Sequence, residues 1–167
     1  MKTYIGISRD HSASMRSLAR AAARDYNNLI QTIQNSSSTE KIDTNVSVVR
    51  CGVGFSGDIE REITNSHIST VKPMAETAYI ADGHSTPLFD SVGELISQFE
   101  SLPDANDPTT CFVIMAITDG YDNSSRIWRN KIGAKIRELQ ATDRWTFVFR
   151  VPRGNAAYLV QFGVPSG

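Results

Sequence analysis

Asp10, Ser12 and Ser14 are the first residues in the sequence whose types and spacing could support chemistry. They follow an apolar run at residues 4–7 and precede a helical pattern that begins near residue 15. One carboxylate and two hydroxyls on a strand-to-helix turn are hard oxygen ligands, which suit a cation such as Mg²⁺. The alternative is that Asp10 or Ser12 only caps a helix N-terminus. These residues alone do not decide between the two interpretations.

Two further polar groups occupy comparable positions later in the chain. Thr86 lies directly before a helix predicted over residues 87–100, and Asp119 follows the apolar run of residues 111–117. Ligands of an open α/β sheet bind beyond the carboxyl ends of its strands. We therefore expect Thr86, Asp119 and the turn of Asp10 to meet at one edge of the sheet.

The elements that must position these residues alternate between strands and helices. Hydrophobic patterns predict strands over residues 3–9, 46–53, 59–63, 111–117 and 145–151. They predict helices over residues 15–34, 87–100, 125–140 and 155–162, and a polar loop over residues 35–39. This alternation predicts a doubly wound, Rossmann-like α/β three-layer sandwich, with helices on both faces of a mostly parallel sheet. Residues 59–63 form its antiparallel edge strand in a hairpin with residues 46–53, and residues 111–117 form a strand buried on both faces.

Composition narrows the classes of function. The 167 residues carry a net charge of −1, with 17 basic and 18 acidic residues, so no basic field favours nucleic acid or an anionic membrane. No apolar run reaches the ~18–20 residues of a membrane span. The N-terminus is too short and too polar for a signal peptide, so we expect a cytoplasmic protein. Cys51 and Cys111 are predicted to be buried, unpaired thiols.

Arginines at four-residue intervals mark one face of the first predicted helix: Arg16, Arg20 and Arg24. We expect a solvated stripe; a stripe that binds phosphate or acids is the alternative. Together with the basic residues of segment 126–135, the stripe also raises nucleic-acid binding as a third function, which the balanced charge disfavours.

The three polar groups together resemble a von Willebrand factor A (vWA) domain with a metal ion-dependent adhesion site (MIDAS). The pattern of that family is Asp-x-Ser-x-Ser, a lone Thr and a lone Asp. Asp10, Ser12 and Ser14 match the first part, and Asp119 the last. Thr86 matches within Gly-His-Ser-Thr-Pro-Leu, which looks like the family's Gly-Gly-Thr-Pro-Leu segment. The resemblance covers nearly the whole chain, so residues 1–167 are expected to form a single vWA-like domain.

The resemblance implies a role for each residue. Ser12, Ser14 and, in one state, Thr86 would give hydroxyl oxygens directly to Mg²⁺, with Mn²⁺ or Ca²⁺ as alternatives. Asp10 and Asp119 would act mainly through bound waters. Neutral hydroxyls leave the cation with uncompensated charge, which attracts an Asp or Glu carboxylate of a partner protein. The expected function is a divalent-cation-dependent protein-binding module.

Several features depart from the family pattern or surround it. Arg9 stands where the family has an apolar residue, so either its charge reaches solvent or pairs with Asp10 or Asp119, or the strand ends one residue early; we favour the early end. Tyr121 and two histidines expected to be exposed, His11 and His84, would add specificity. Ala13 stands where Gly is common. The sequence also stops where the family enters a final strand and helix, which leaves a longer protein or a trimmed fold as alternatives.

The alternative function is a metal-dependent phosphohydrolase-like enzyme on a similar sheet. Asp10 and Asp119 could serve such an enzyme. Against it, the sequence shows no placed general base, no phosphate-clamping lysine and no Gly-rich phosphate loop. We therefore expect a protein that is not an enzyme.

Overall fold

A five-stranded sheet forms the middle layer of the computed structural model, which describes residues 1–152 and 154–165. Its strands are β1 (Lys2–Asp10), β2 (Asp43–Val53), β3 (Asp58–His67), β4 (Thr110–Ile117) and β5 (Trp145–Arg150). The helices are α1 (Ala19–Glu40), α2 (Leu88–Glu100), α3 (Ile132–Gln140) and α4 (Ala156–Gln161). The strand order is β3-β2-β1-β4-β5, and β3 is the antiparallel edge strand. The predicted fold class is confirmed.

Helices cover both faces of the sheet because side chains alternate along each strand. Ile5 and Ile7 of β1 pack under α1 with Tyr26 and Ile30. Tyr4 points to the other face, into the core formed by α2, α3 and α4. The inner strand β4 is buried on that second face. On the face toward α1 only Ile117 is buried, while Cys111, Val113 and Met115 are half-buried, so the prediction that this strand is buried on both faces holds only in part.

Strand register brings the polar groups to one edge. β1 pairs in parallel with both β2 and β4, and Arg9 lies opposite Ile117 at the end of β4. The chain segments that follow β1 and β4 therefore leave the sheet side by side. This arrangement places Asp10 next to Thr118.

The predicted loop at residues 35–39 is wrong, because α1 continues to Glu40. Adding a residue to an existing helix is easier than starting one, so serines and an asparagine are tolerated in its last turns. The helix ends at Glu40 and is capped by Lys41, whose backbone is left-handed (φ +55°). The N–H groups of Lys41 and Ile42 both donate to the Ser37 carbonyl. The same helix begins later than predicted, since Ala13–Leu18 form a 3₁₀ turn.

The third helix is shorter than predicted, beginning at Ile132 rather than near residue 125. The carboxylate of Asp90 accepts the backbone N–H groups of residues 126, 127 and 128 at 2.7 to 3.1 Å. Asp122 and Ser125 accept the N–H groups of Phe89 and Asp90 in the first turn of α2. The segment that follows β4 thus stabilises the first turn of α2, the helix that precedes β4 in sequence.

Cys51 is fully buried and Cys111 half-buried, and neither forms a disulfide. Burial raises the pKa of the Cys51 thiol. The arginines of the stripe are exposed, as predicted, with Arg16 in the 3₁₀ turn and Arg20 and Arg24 on α1. Across the described ranges, no helix combines the length and the apolar character needed to cross a bilayer.

Candidate functional site

Asp10 is the last residue of β1, and its side chain is fully buried. Its Oδ1 accepts hydrogen bonds from the backbone N–H of Ser12 at 2.9 Å and from the Ser12 hydroxyl at 2.6 Å. Its Oδ2 accepts a hydrogen bond from the Thr118 hydroxyl at 2.7 Å. The Asp10 carboxylate therefore joins the turn that follows β1 to the segment that follows β4.

The two serines of the turn lie together. Their Oγ atoms are 3.1 Å apart, with Ser12 buried and Ser14 exposed. Ser12 occupies the N-cap position of the 3₁₀ turn, but its side chain makes no capping hydrogen bond and donates to Asp10 instead. The helix-cap interpretation of Ser12 is therefore wrong. Asp10, Ser12 and Ser14 form one hydrogen-bonded group.

The loop of residues 83–86 packs against this turn. Ser12 and Gly83 form a short parallel bridge, flanked by backbone hydrogen bonds of 2.8 and 3.2 Å. A Cβ atom on Gly83 would lie 1.4 Å from the Gly52 carbonyl oxygen, so only glycine fits there. This close approach fixes the segment that carries Thr86 beside the serines.

Thr86 is buried two residues before the start of α2, and Asn123 holds its backbone. The Thr86 N–H donates to Asn123 Oδ1 at 2.7 Å, and the Asn123 N–H donates to the Thr86 carbonyl at 3.0 Å. Sequence analysis assigned no role to Asn123 or to Thr118. An asparagine three residues after the Thr-Asp-Gly turn was the available signal, because this residue type often bonds backbone groups in turns.

Asp119 lies two residues beyond the end of β4 and is buried. Its Oδ1 accepts the Tyr121 N–H at 3.2 Å, and its backbone carbonyl accepts the Asn155 side-chain amide at 2.7 Å. Gly120 supplies the left-handed backbone (φ +96°) that this turn requires. The structure thus brings Asp119 to the same sheet edge as Asp10, as predicted from the strand order.

The two carboxylates make this edge electronegative. Burial is the main cause that raises the pKa of Asp10, and the negative charge of nearby Asp119 adds to the increase. Hydrogen bonds from Ser12 and Thr118 oppose it. In the part of the chain that the structure describes, neither carboxylate forms a salt bridge with lysine or arginine. A cation bound here would relieve this buried negative charge.

The donor atoms at the edge fit a hard cation. Residues 1–152 and 154–165 contain no group of three or more His, Cys, Asp or Glu arranged to hold a metal, so a cation at this edge would need hydroxyl oxygens among its ligands. Two carboxylates and three hydroxyls form an all-oxygen set, which favours Mg²⁺ over the softer transition metals.

Arg9 does not belong to this edge, and the two pairings proposed for it there are wrong. β1 continues to Asp10, so the predicted early end of the strand is also wrong. The Arg9 side chain is 2% exposed on the α1 face, where its Nη2 donates to Glu62 at 2.6 Å. The guanidinium lies 4.6 Å from the ring centre of Tyr26.

His11 is buried, so its predicted exposure is wrong, whereas the predicted exposure of His84 is confirmed. The His11 ring stacks on Tyr79 with 4.4 Å between ring centres, and its Nδ1 lies 2.8 Å from the Ile80 carbonyl. Burial lowers the pKa of His11 to about 4, so this ring is neutral at neutral pH. His11 therefore cannot contact a partner at the surface.

Two exposed aromatic side chains flank the edge. Tyr121, which sequence analysis selected, is 48% exposed. Phe55, which it missed, is 84% exposed at the tip of the β2–β3 hairpin and packs against His84 with 4.5 Å between ring centres. A phenylalanine among turn glycines was the signal, because core residues seldom lie in such a turn.

Comparison with solved structures finds the same architecture in a matrix protein. Proximal thread matrix protein 1 (PTMP1) from the mussel byssus matches in two structures, both at 14% identity over 89% of this chain. The TM-scores are 0.55 and 0.51. The chain has a vWA-like fold.

This vWA-like chain spans only 37% and 35% of the length of the two PTMP1 structures. No family model matches the sequence, and no curated protein matches it. At 14% identity, the likeness to PTMP1 extends to the fold alone.

Proposed function

We propose that this vWA-like domain is a divalent-cation-dependent protein-binding module. Mg²⁺ would be held by Asp10, Ser12, Ser14, Thr86 and Asp119, with Mn²⁺ or Ca²⁺ as alternative cations. The observation that carries the proposal is the Asp10–Ser12–Ser14 group beside Asp119, in which two buried carboxylates have no basic partner among the described residues.

The hydroxyl ligands give the site its docking character. When bound, the cation would offer a coordination position to an outside carboxylate, because neutral hydroxyls leave part of its charge uncompensated. Asp10 keeps Ser12 in place through two hydrogen bonds, and Asn123 holds Thr86 through two more. The chain thus fixes the Ser12 hydroxyl and the Thr86 backbone before a partner arrives, which reduces the entropy lost on binding.

Specificity would come from the exposed side chains around the edge. Tyr121, Phe55 and His84 offer aromatic contacts to a partner that presents an Asp or Glu. Aromatic side chains often dominate binding energy at interfaces. We propose no role for nucleic acid or membrane, and we place the protein in the cytoplasm on the basis of its unpaired cysteines.

The direct test uses two peptides that differ in one group. A short fluorescent peptide with a central Asp is titrated with the protein in Mg²⁺ and in EDTA, and the same peptide with Asn serves as control. We expect fluorescence polarisation to show saturable binding of the Asp peptide in Mg²⁺ alone. Binding that persists in EDTA, or equal binding of the Asn peptide, would contradict the proposal.

A matched pair of variants locates the effect. Asp119→Asn removes one buried carboxylate at the edge, whereas Asp82→Asn removes an exposed carboxylate next to Gly83. Only Asp119→Asn should abolish Mg²⁺-dependent peptide binding.

The enzyme alternative has its own measurement. The solved neighbours are described as matrix proteins, which agrees with a binding role. We expect no hydrolysis of p-nitrophenyl phosphate in Mg²⁺ or Mn²⁺. Turnover that Asp10→Ala abolishes would replace the binding module with a phosphohydrolase.

A further inference from the structure

A polar cavity, separate from the candidate metal site, lies on the α1 face of the sheet. Its volume is about 460 Å³, and it opens between the β2–β3 hairpin and residues 70–74. Arg9, Arg50, Lys72 and Glu62 supply the charged part of its lining. The function proposed above uses none of these side chains.

Arg9 has one guanidinium nitrogen with no partner. Its Nε donates to His11 Nε2 at 2.9 Å, and its Nη2 donates to Glu62 at 2.6 Å. The third nitrogen, Nη1, is buried and has no hydrogen-bond partner among the described residues, although the whole side chain is only 2% exposed. A buried charged donor without an acceptor is costly, so a ligand that supplies an acceptor would be favoured.

Arg50, which also lines the cavity, has a second such nitrogen. Its Nε is buried without a hydrogen-bond partner among the described residues and lies 3.7 Å from Glu62 Oε1, the atom that Arg9 also contacts. Its Nη2 pairs with Glu60 outside the cavity. Two guanidinium groups therefore converge on one carboxylate oxygen, each with an N–H group to spare.

The charges of the lining favour an anion of low charge. Arg9, Arg50 and Lys72 are positive and Glu62 is negative, while Glu60 offsets part of the Arg50 charge. Glu62 would also repel a doubly charged ligand such as phosphate more strongly than a monoanion. Guanidinium groups match the planar, two-oxygen shape of a carboxylate.

Apolar and aromatic side chains form much of the remaining wall: Tyr26, Ile63, Val71, Pro73, Met74 and Ala78. Ser66, Thr70 and His11 add polar groups to it. Pockets that bind small organic molecules combine such a lining with a few placed polar groups. We propose that this cavity binds a small organic monocarboxylate, with its carboxylate against the guanidinium groups of Arg9 and Arg50 and its organic part against the apolar side chains of the wall.

The test titrates the whole protein with carboxylates of increasing size, in EDTA so that the candidate metal site plays no part. Acetate, butanoate and benzoate are the probes, benzamide is the uncharged control and inorganic phosphate the alternative anion. NMR amide shifts of residues 9, 50 and 62 report binding. We expect saturable binding of butanoate or benzoate, with benzamide weaker by about tenfold or more, since it lacks the charge-assisted hydrogen bonds.

Three results would overturn the proposal. They are the absence of saturable binding by any carboxylate, equal binding of benzamide and benzoate, and tighter binding of phosphate than of every carboxylate. The first result would mean that water alone satisfies Arg9.

Two arginine variants locate the ligand. Arg50→Gln removes a half-buried donor of the cavity, whereas Arg61→Gln removes an exposed arginine of β3 that pairs with Glu94 outside it. We expect Arg50→Gln to weaken benzoate binding by about tenfold and leave benzamide unchanged, with Arg61→Gln like the wild type. Equal benzoate affinity of all three proteins would contradict binding at Arg50.

Discussion

Arg9 and Asp10 are neighbours at the end of β1, yet they belong to opposite electrostatic environments. Asp10 lies at the sheet edge with Asp119 nearby and without a basic partner among the described residues. Arg9 points to the α1 face, where it meets Glu62 and the rings of Tyr26 and Tyr79. Successive side chains of a strand point to opposite faces, so two buried charges that are adjacent in sequence lie on opposite sides of the sheet. The edge therefore carries negative charge without a basic partner among the described residues, whereas two of the three guanidinium nitrogens of Arg9 are paired within the protein.

The largest expected effect on stability comes from breaking the Arg9 cluster. Arg9→Met should lower the free energy of unfolding by about 3 kcal/mol, since it leaves Glu62 without its closest partner and His11 Nε2 without a donor. Urea denaturation measures this change. Arg150→Met, which removes an exposed pair with Asp25, should cost at most about 1 kcal/mol. Equal losses in the free energy of unfolding would show that the buried Arg9 cluster contributes no more to stability than an exposed ion pair.

The next effect comes from the glycine that joins two loops at the edge. Gly83→Ala should cost about 1–3 kcal/mol, because the added Cβ meets the Gly52 carbonyl and pushes the Thr86 loop away. Thermal unfolding gives the loss of stability, and calorimetry should show weaker Mg²⁺ binding.

Gly54→Ala is the control for Mg²⁺ binding, since its Cβ would enter open space and its left-handed backbone (φ +69°) would cost stability without a clash at the Thr86 loop. It should leave Mg²⁺ binding intact. A Gly83→Ala protein with wild-type Mg²⁺ affinity would show that the Thr86 loop does not contribute to the edge.

A pH series tests the uncompensated charge of Asp10. In the folded protein the pKa of Asp10 is raised above the ordinary 3.8. Ionisation of this carboxylate therefore destabilises the folded state, and the loss of stability develops as the pH rises from 3.8 through the folded pKa. Below pH 3.8 the carboxyl group is protonated in both the folded and the unfolded state, so the loss is absent. In EDTA, the Asp10→Asn protein should therefore become more stable relative to the wild type as the pH increases from acid to neutral. Parallel stability curves from urea denaturation would contradict a buried, unpaired charge.

The smallest effect concerns the side chain that touches both regions. The Tyr79 hydroxyl donates to the Asp10 carbonyl, and its ring stacks on His11. Tyr79→Phe removes one hydrogen bond and keeps the ring, so it should cost about 1 kcal/mol in thermal unfolding. Mg²⁺ affinity should stay within about twofold of the wild type, because no predicted ligand is removed. A loss beyond tenfold would mean that Tyr79 positions the edge.

The strands could be predicted from the sequence because their hydrophobic runs are long and bounded by turn residues. Helix bounds were less predictable where tertiary contacts decide them. Asp90 accepts three N–H groups at the start of the third predicted helix, a contact that no local pattern reveals. The Ser-rich end of α1 shows the converse case, in which an established helix continues through residues of low propensity.

At the candidate site, the order of Asp10, Thr86 and Asp119 along the alternating elements was enough to predict that they share one edge. The hydrogen-bond partners that hold them, Thr118 and Asn123, depend on how loops meet in space. Arg9 could not be placed from the sequence for the same reason, because its partner Glu62 lies on β3, two strands away.

Calorimetric titration with Mg²⁺ tests the central claim most directly. The wild type and Asp82→Asn should each bind Mg²⁺ at one saturable site. Asp119→Asn and the double change Ser12→Ala with Ser14→Ala should bind at least about tenfold more weakly while remaining folded by circular dichroism. Equal Mg²⁺ affinity in all four proteins, or no binding by the wild type, would contradict a cation site at the carboxyl ends of β1 and β4.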